Sequence, residues 1–160
     1  FHLPLDAQLN QLSMGNKKKA LMSFALATNV RYLLMDEPTN GLDVPSKKQF
    51  RKVIATTMTE ERTLIIATHQ LHDVESLLDH VLILQDSQLL LNASVTELCE
   101  KYTFGIRSND ALTDEVLYCE RTPQGNATLS LRQPEDEETS LNLELLFNAV
   151  ISNQTKIIPE

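Results

Sequence analysis

Glycine is scarce. The four in the chain stand at 15, 41, 105 and 125, and their wide separation excludes two families of phosphate-binding loop. A G-x-x-x-x-G-K-[ST] loop needs two glycines five positions apart, and a G-x-G-x-x-G turn needs three within six. Neither pattern occurs in the sequence, so any phosphate chemistry is partial or takes its cradle from another segment or a second chain. Two cysteines, Cys99 and Cys119, form no C-x-x-C pair. They exclude a disulfide framework, remove the usual support for a metal or redox motif, and make a reducing compartment the expectation. No apolar run approaches the roughly 18 residues that span a bilayer, and no signal-peptide pattern opens the chain. The first residue is Phe1 rather than Met, and the chain is expected to be a piece of something longer.

Positive charge is also in deficit, with 14 Lys+Arg against 22 Asp+Glu for a net −8. That balance disfavours a bulk nucleic-acid binder, although a local lysine cluster can still serve a single phosphate. What is present is ordinary for a globular chain of about one domain: 160 residues, 42% hydrophobic and 22% charged, enough to build a core.

Periodicity predicts a helix over 12–29 capped by Ser13, mostly buried through Met14, Leu21, Met22, Ala25 and Leu26. The run 30–35 reads as a doubly covered parallel strand ending in Asp36, Glu37 and Pro38. A second helix starts at Pro45, with Phe50, Val53, Ile54, Thr57 and Met58 on one face. A second buried strand spans 63–68, followed by His69 and a short helix striped by Leu71, Val74, Leu77 and Leu78. Strands at 81–85 and 88–92 join through Asp86-Ser87, and Ser94-Val95-Thr96-Glu97 opens a short helix as a capping box. Beyond Tyr102 the style changes: a β-hairpin over 115–121 and 127–132, an acidic loop over 134–139, then an amphipathic helix over 142–151 with Leu145, Leu146, Ala149 and Val150 inward.

Three stretches carry chemistry. Ser13, Gly15 and Asn16 open a helix whose unpaired N–H groups and dipole suit an anion, with Lys17, Lys18 and Lys19 adding positive charge. Serine-capped helices are common, however, and a lysine run is ordinarily a solvated face. Asp36 and Glu37 put adjacent acids where an apolar strand emerges, one able to reach magnesium and the other an attacking water. His69 follows the next strand as Asp36 follows the first, and ligands of open parallel sheets gather at carboxyl strand ends. A metal site with His72 and Asp73 is conceivable but lacks an H-E-x-x-H pattern or a cysteine partner. His2 and His80 read as structural.

In this order and spacing, 12–102 resembles the second half of an ATP-binding cassette (ABC) transporter ATPase. Leu12-Ser13-Met14-Gly15-Asn16 is similar to the family signature, Leu33-Leu34-Met35-Asp36-Glu37 to Walker B, Asn40-Gly41-Leu42-Asp43 to the D-loop and His69 to the switch histidine. The resemblance implies ATP and Mg2+ as cofactors. Asp36 would hold the metal, Glu37 would act as general base and His69 would contact the γ-phosphate. Ser13, Gly15 and Asn16 would serve a partner subunit's nucleotide, with Asp43 at the dimer seam. The signature departs from Leu-Ser-Gly-Gly-Gln at Met14 and Asn16, and the Met14 substitution with the lysine run hints at an exporter. The Walker A and Q-loop segments of the family's first half are absent from the sequence, so this chain alone is expected to bind ATP poorly.

The expected fold class is α/β, a partial P-loop NTPase-type parallel sheet with flanking helices over 1–102, plus a small α+β extension over 103–160. The expected partners are a transmembrane permease and a second ATPase subunit, on the cytoplasmic inner face of the membrane, with no nucleic acid. Two other readings are a soluble ABC-type ATPase acting on ribosomes or nucleic acid and a non-catalytic regulatory module in the extension.

Overall fold

A computed structural model describes residues 3, 6, 8–108 and 116–152. They form two compact units, Phe1–Leu77 and Leu78–Glu160, a division that falls before the 102/103 step in sequence style.

In the first unit, helix α1 (Met14–Ala27) follows a 3-10 turn, Leu9–Gln11. It contains no β-branched residue, and Ser13 caps it by accepting the Asn16 N–H at 3.3 Å. It stops where Asn29 turns left-handed at φ 53°. Strand β1 (Tyr32–Asp36) then pairs in parallel with β2 (Thr63–Ala67), Tyr32 opposite Thr63 and Asp36 opposite Ala67. Between them α2 (Val44–Thr57) is capped by Asp43 and carries Pro45 in its first turn. Helix α3 (Leu71–Val74) and a 3-10 turn, Glu75–Leu77, close the unit. Arg62 donates to the Leu26, Val30 and Thr57 carbonyls at 3.3, 3.2 and 3.2 Å, satisfying helix-end groups of both α1 and α2.

The core of this unit joins Met22 and Leu26 of α1, Leu42, and Phe50 and Ile54 of α2, with Leu33, Met35, Leu64 and Ile66 of the sheet packed against them. Only one sheet face is covered. On the other, Tyr32, Leu34 and Ile65 are 59%, 71% and 43% exposed, which corrects the expectation of doubly covered strands. The expected burial along α1 also fails at Met14 and Leu21, both exposed. Both corrections have one cause: apolar residues lie on two faces of the layer, but the unit contains helices for only one.

The second unit begins with the hairpin β3 (His80–Gln85) and β4 (Gln88–Ser94). Its two-residue turn puts Asp86 and Ser87 at φ 50° and 62°, the mirror-image turn that matches strand twist. Helix α4 (Val95–Lys101) has the full capping box, Ser94 with Glu97. A three-stranded antiparallel sheet follows, β5 (Tyr102–Arg107), β6 (Val116–Thr122) and β7 (Gly125–Leu131), ordered β5-β7-β6. Sequence patterning yields a hairpin here because β5 follows α4 without a turn residue and contains Gly105, which weakens a strand pattern. Helix α5 (Leu143–Ile151) buries Leu143, Leu145, Leu146, Ala149 and Val150 and packs against β6 and β7; Tyr102, Phe104 and Leu129 of the sheet are buried as well. His2 and Glu115 lie outside the described residues. Among the described residues, no helix is long and apolar enough to cross a membrane.

Candidate functional site

The site is built where β1 and β2 end side by side. After Asp36 the backbone leaves the strand because Glu37 is left-handed, φ 45°, an unusual conformation for a residue with a side chain. Its N–H still donates to the Ala67 carbonyl at 2.8 Å, while its carboxylate is turned to the end of β2. The Thr68 hydroxyl donates to Oε2 at 2.9 Å, the His69 N–H donates to Oε1 at 2.8 Å, and His69 Nδ1 lies 2.6 Å from the same oxygen. A carboxylate has about four lone-pair sites; three are used, and the free one lies on Oε2, available to a water proton. With Nδ1 committed to Glu37, Nε2 is the ring nitrogen left for a ligand, and the His69 side chain is 74% exposed.

Burial pushes the Glu37 carboxyl up, but the donors from His69 and Thr68 and the His69 charge outweigh it and hold the carboxyl below its ordinary value. Glu37 is therefore ionised at neutral pH, and better suited to orienting a water than to holding its proton.

Asp36 is exposed at the strand end, and among the described residues no hydrogen bond or ion pair occupies its carboxylate. No group of three potential metal ligands occurs among the described residues. A single free carboxylate fits magnesium nonetheless, because that ion takes one or two protein carboxylates and fills its shell with waters and phosphate oxygens. Asp73, a candidate ligand with His72, is engaged elsewhere: its Oδ2 lies 2.7 Å from Lys47 Nζ, which also donates to Gln70 Oε1 at 2.8 Å. Burial raises the Asp73 carboxyl, while Lys47 and the nearby Arg51 charge hold it below its ordinary value overall. The buried Thr39 hydroxyl is near it but out of hydrogen-bond alignment.

At the other candidate residues, Ser13 caps α1 and Asn16 supplies the capped N–H. Among the described residues, a methyl group built on Gly15 would meet only the Gly41 carbonyl, at 3.8 Å, and none of them requires glycine there. Asp43 caps α2, accepting the Ser46 N–H at 3.0 Å; the Ser46 hydrogen bonds, aided by the Lys19 charge, keep its carboxyl below the ordinary value.

Of the three lysines expected to add charge for an anion, Lys18 has partners within the chain. Its ammonium donates to the Glu37 carbonyl and, at 2.9 Å, to the Asn40 carbonyl. The structure thus joins Glu37 to His69, and α1 to the 37–40 turn, while Ser13 and Asp36 stand outside both contacts. Sequence reasoning passes over Thr68 and Lys47, and reads Lys18 as charge without its carbonyl partners. Thr68 had a signal, as the hydroxyl adjacent to His69 at a strand end; the two lysines had none, because their partners lie 19 to 26 positions away in the chain.

No protein-family model matches the chain. An ABC transporter ATP-binding protein of Methanocaldococcus jannaschii is 29% identical over 145 residues, 88% of this chain and 54% of that protein. The xylose import ATP-binding protein XylG of Escherichia coli is 33% identical over 95 residues, 58% of this chain and 18% of its own length. The chain thus spans about half the length of the archaeal relative and a smaller share of XylG. Because the archaeal match leaves only 12% of the chain unaligned, it necessarily includes much of the sequence after Tyr102. A solved ABC transporter of metal-chelate type, in an inward-facing conformation, has a TM-score of 0.48 at 15% identity, covering 78% of this chain and 50% of its own. The sequence relatives of the chain are thus ATP-binding proteins of ABC transporters, and its motif order resembles that of the C-terminal half of their ATPase domain.

Proposed function

We propose that this chain is part of an ATP-hydrolysing subunit of an ABC transporter, exporting in direction, and that it supplies the water-activating half of a composite nucleotide site. The observation that carries the reading is the cluster at the β1 and β2 ends, where Thr68 and His69 fix the Glu37 carboxylate with one lone pair left open. Glu37 orients the attacking water, and His69, braced through Nδ1, turns Nε2 to the γ-phosphate. Asp36 holds magnesium, whose charge offsets that gathering on the phosphates.

The triphosphate cradle is supplied from outside this sequence, which has no Walker A pattern. The uncovered apolar face of β1 and β2, with Leu34 and Ile65, is then the surface on which the remainder of the ATPase domain packs. Residues 1–102 belong to that domain and 103–160 form an extension to it. Ser13, Gly15 and Asn16 face the nucleotide of a second ATPase subunit, Asp43 lies at the seam, and the pair drives a transmembrane permease from the cytoplasmic side. Export rests on the Met14 substitution by family analogy; the name of one relative denotes import, and transport in sealed vesicles decides the direction.

The test is Glu37→Gln in the assembly that contains the chain, followed by single-turnover ATP hydrolysis. Loss of about 100-fold or more in the chemical step with ATP binding retained supports the assignment. Unchanged turnover refutes it.

A further inference from the structure

Lys18 sits in the first turns of α1, five positions after the capping Ser13, yet its ammonium faces into the protein. It bridges the carbonyls of Glu37 and Asn40, the two ends of a turn already closed by the Asn40 N–H donating to the Glu37 carbonyl at 3.3 Å. The same helix approaches the same loop at two further points. A Cβ placed on Gly15 would stand 3.8 Å from the Gly41 carbonyl, and the Lys19 charge is near enough to act on Asp43. Beyond the turn, Leu42 donates to the Thr39 carbonyl at 3.1 Å and Gly41 is left-handed at φ 76°, so the segment is folded tightly enough to transmit a displacement.

A left-handed Glu37 persists only while its surroundings over-determine it. Its N–H is held by Ala67, the last residue of β2, and its side chain by Thr68 and His69 directly after that strand. Its carbonyl is held by α1, through Lys18, and by its own turn. Among the described residues, Lys18 is therefore the side chain by which α1 fixes the orientation of the residue that carries the water.

We propose that Lys18 is a positioning residue that couples the anion-facing start of α1 to Glu37, so that a nucleotide engaged at Ser13 and Gly15 sets the geometry of water activation at the neighbouring site. This rests on the function proposed above. An axial shift or rotation of α1 on anion binding moves the ammonium, and the ammonium moves the peptide plane between Glu37 and Pro38 to which it is bonded. The device links two chemically separate events, phosphate recognition and water orientation, through a single bridging cation.

The experiment uses the nucleotide-hydrolysing assembly that contains the chain and compares Lys18→Met, which keeps the stem and removes the donors, with Lys18→Arg, which retains donors for two carbonyls. Three quantities are read: kcat, KM for ATP, and the hydrogen-exchange rates of the Asn40 and Leu42 amides with and without a non-hydrolysable ATP analogue. Lys18→Met should lower kcat by about 10- to 100-fold, the cost of a small misplacement of a catalytic group, with KM changed less than about 2-fold. It should also abolish the analogue-dependent protection of those amides, and Lys18→Arg should restore both. Unchanged kcat in Lys18→Met, or analogue-dependent protection that survives it, overturns the coupling. A fall in both variants alike also overturns it, because it marks loss of packing rather than of the bridge. Glu37→Gln run in parallel separates the two claims: if that variant still hydrolyses ATP, the function proposed above fails, whereas a dead Glu37→Gln beside an unaffected Lys18→Met removes only the coupling.

Discussion

Replacing Lys47 by Met leaves Asp73 as a nearly buried carboxylate without its counter-ion, and the consequence can be worked from the structure. The ammonium and Oδ2 are 2.7 Å apart, with side chains 25% and 11% exposed. Coulomb attraction at that distance runs from about 1.5 kcal/mol at bulk dielectric to about 6 kcal/mol at an effective dielectric near 20. Partial exposure of Lys47 and the residual Arg51 charge favour the lower part of that range, while the lost Gln70 hydrogen bond adds to it. We expect a loss of about 2 kcal/mol by urea unfolding, or a fall of roughly 4–8 °C in Tm for a chain of this size.

The pH dependence follows from the direction of the Asp73 shift. Its carboxyl is held below the ordinary value in the folded state, so its contribution is present above about pH 4, the unfolded value, and is lost as pH falls through the lower folded value. The stability gap between wild type and Lys47→Met should accordingly be full at pH 7 and close in acid, and Lys47→Arg should recover most of it. A gap below about 0.5 kcal/mol at pH 7, or one that does not change between pH 7 and pH 2, would refute the assignment of Lys47 and Asp73 as an energetically coupled pair.

Gly125→Ala should cost roughly 1–3 kcal/mol in thermal unfolding, because Gly125 has φ 135° and a Cβ would come 2.9 Å from Ile106 Cγ2; an unperturbed Tm would contradict the β6–β7 turn geometry. Ser94→Ala removes the capping hydroxyl of α4 and should cost about 1 kcal/mol, read by denaturant titration. Gly15→Ala separates folding from function: with the added methyl group only in ordinary contact with Gly41, stability should hold or rise by up to about 1 kcal/mol, while ATP turnover of the assembly falls. Equal loss of stability and turnover would place the need for glycine inside the chain instead.

Local signals were the legible ones. Ser13 and Ser94 announced helix starts because a hydroxyl cap and the residue it serves are three positions apart, and the β1 and β2 runs stood out as compact apolar segments. The left-handed turn Asp86-Ser87 was readable as a hairpin connection for the same reason. Strand pairing then did what spacing alone could not: it placed Glu37 and His69, 32 positions apart, in hydrogen-bonding contact.

What escaped depends on the third dimension. Periodicity marks both apolar faces of α1 and β1 but not which one a given unit covers, so it assigns Met14, Leu21 and Leu34 to a core they do not join. Strand β5 was hidden by its direct continuation from α4. Lys18, in a run that reads as a solvated face, was legible only once its partner carbonyls were in place. The same holds for Lys47, whose carboxylate partner lies beyond the intervening strand β2.

The central claim is that one chain activates water for one nucleotide while clamping the phosphate of another, and a structure of the Glu37→Gln assembly with ATP and Mg2+ tests it most directly. The account requires the position-37 side chain and His69 Nε2 to face the γ-phosphate of one nucleotide, with Ser13 Oγ and the Gly15 N–H at hydrogen-bond distance, about 3 Å, from the phosphates of a second. Phosphates bound away from both clusters, or both clusters gathered on the same nucleotide, would contradict it.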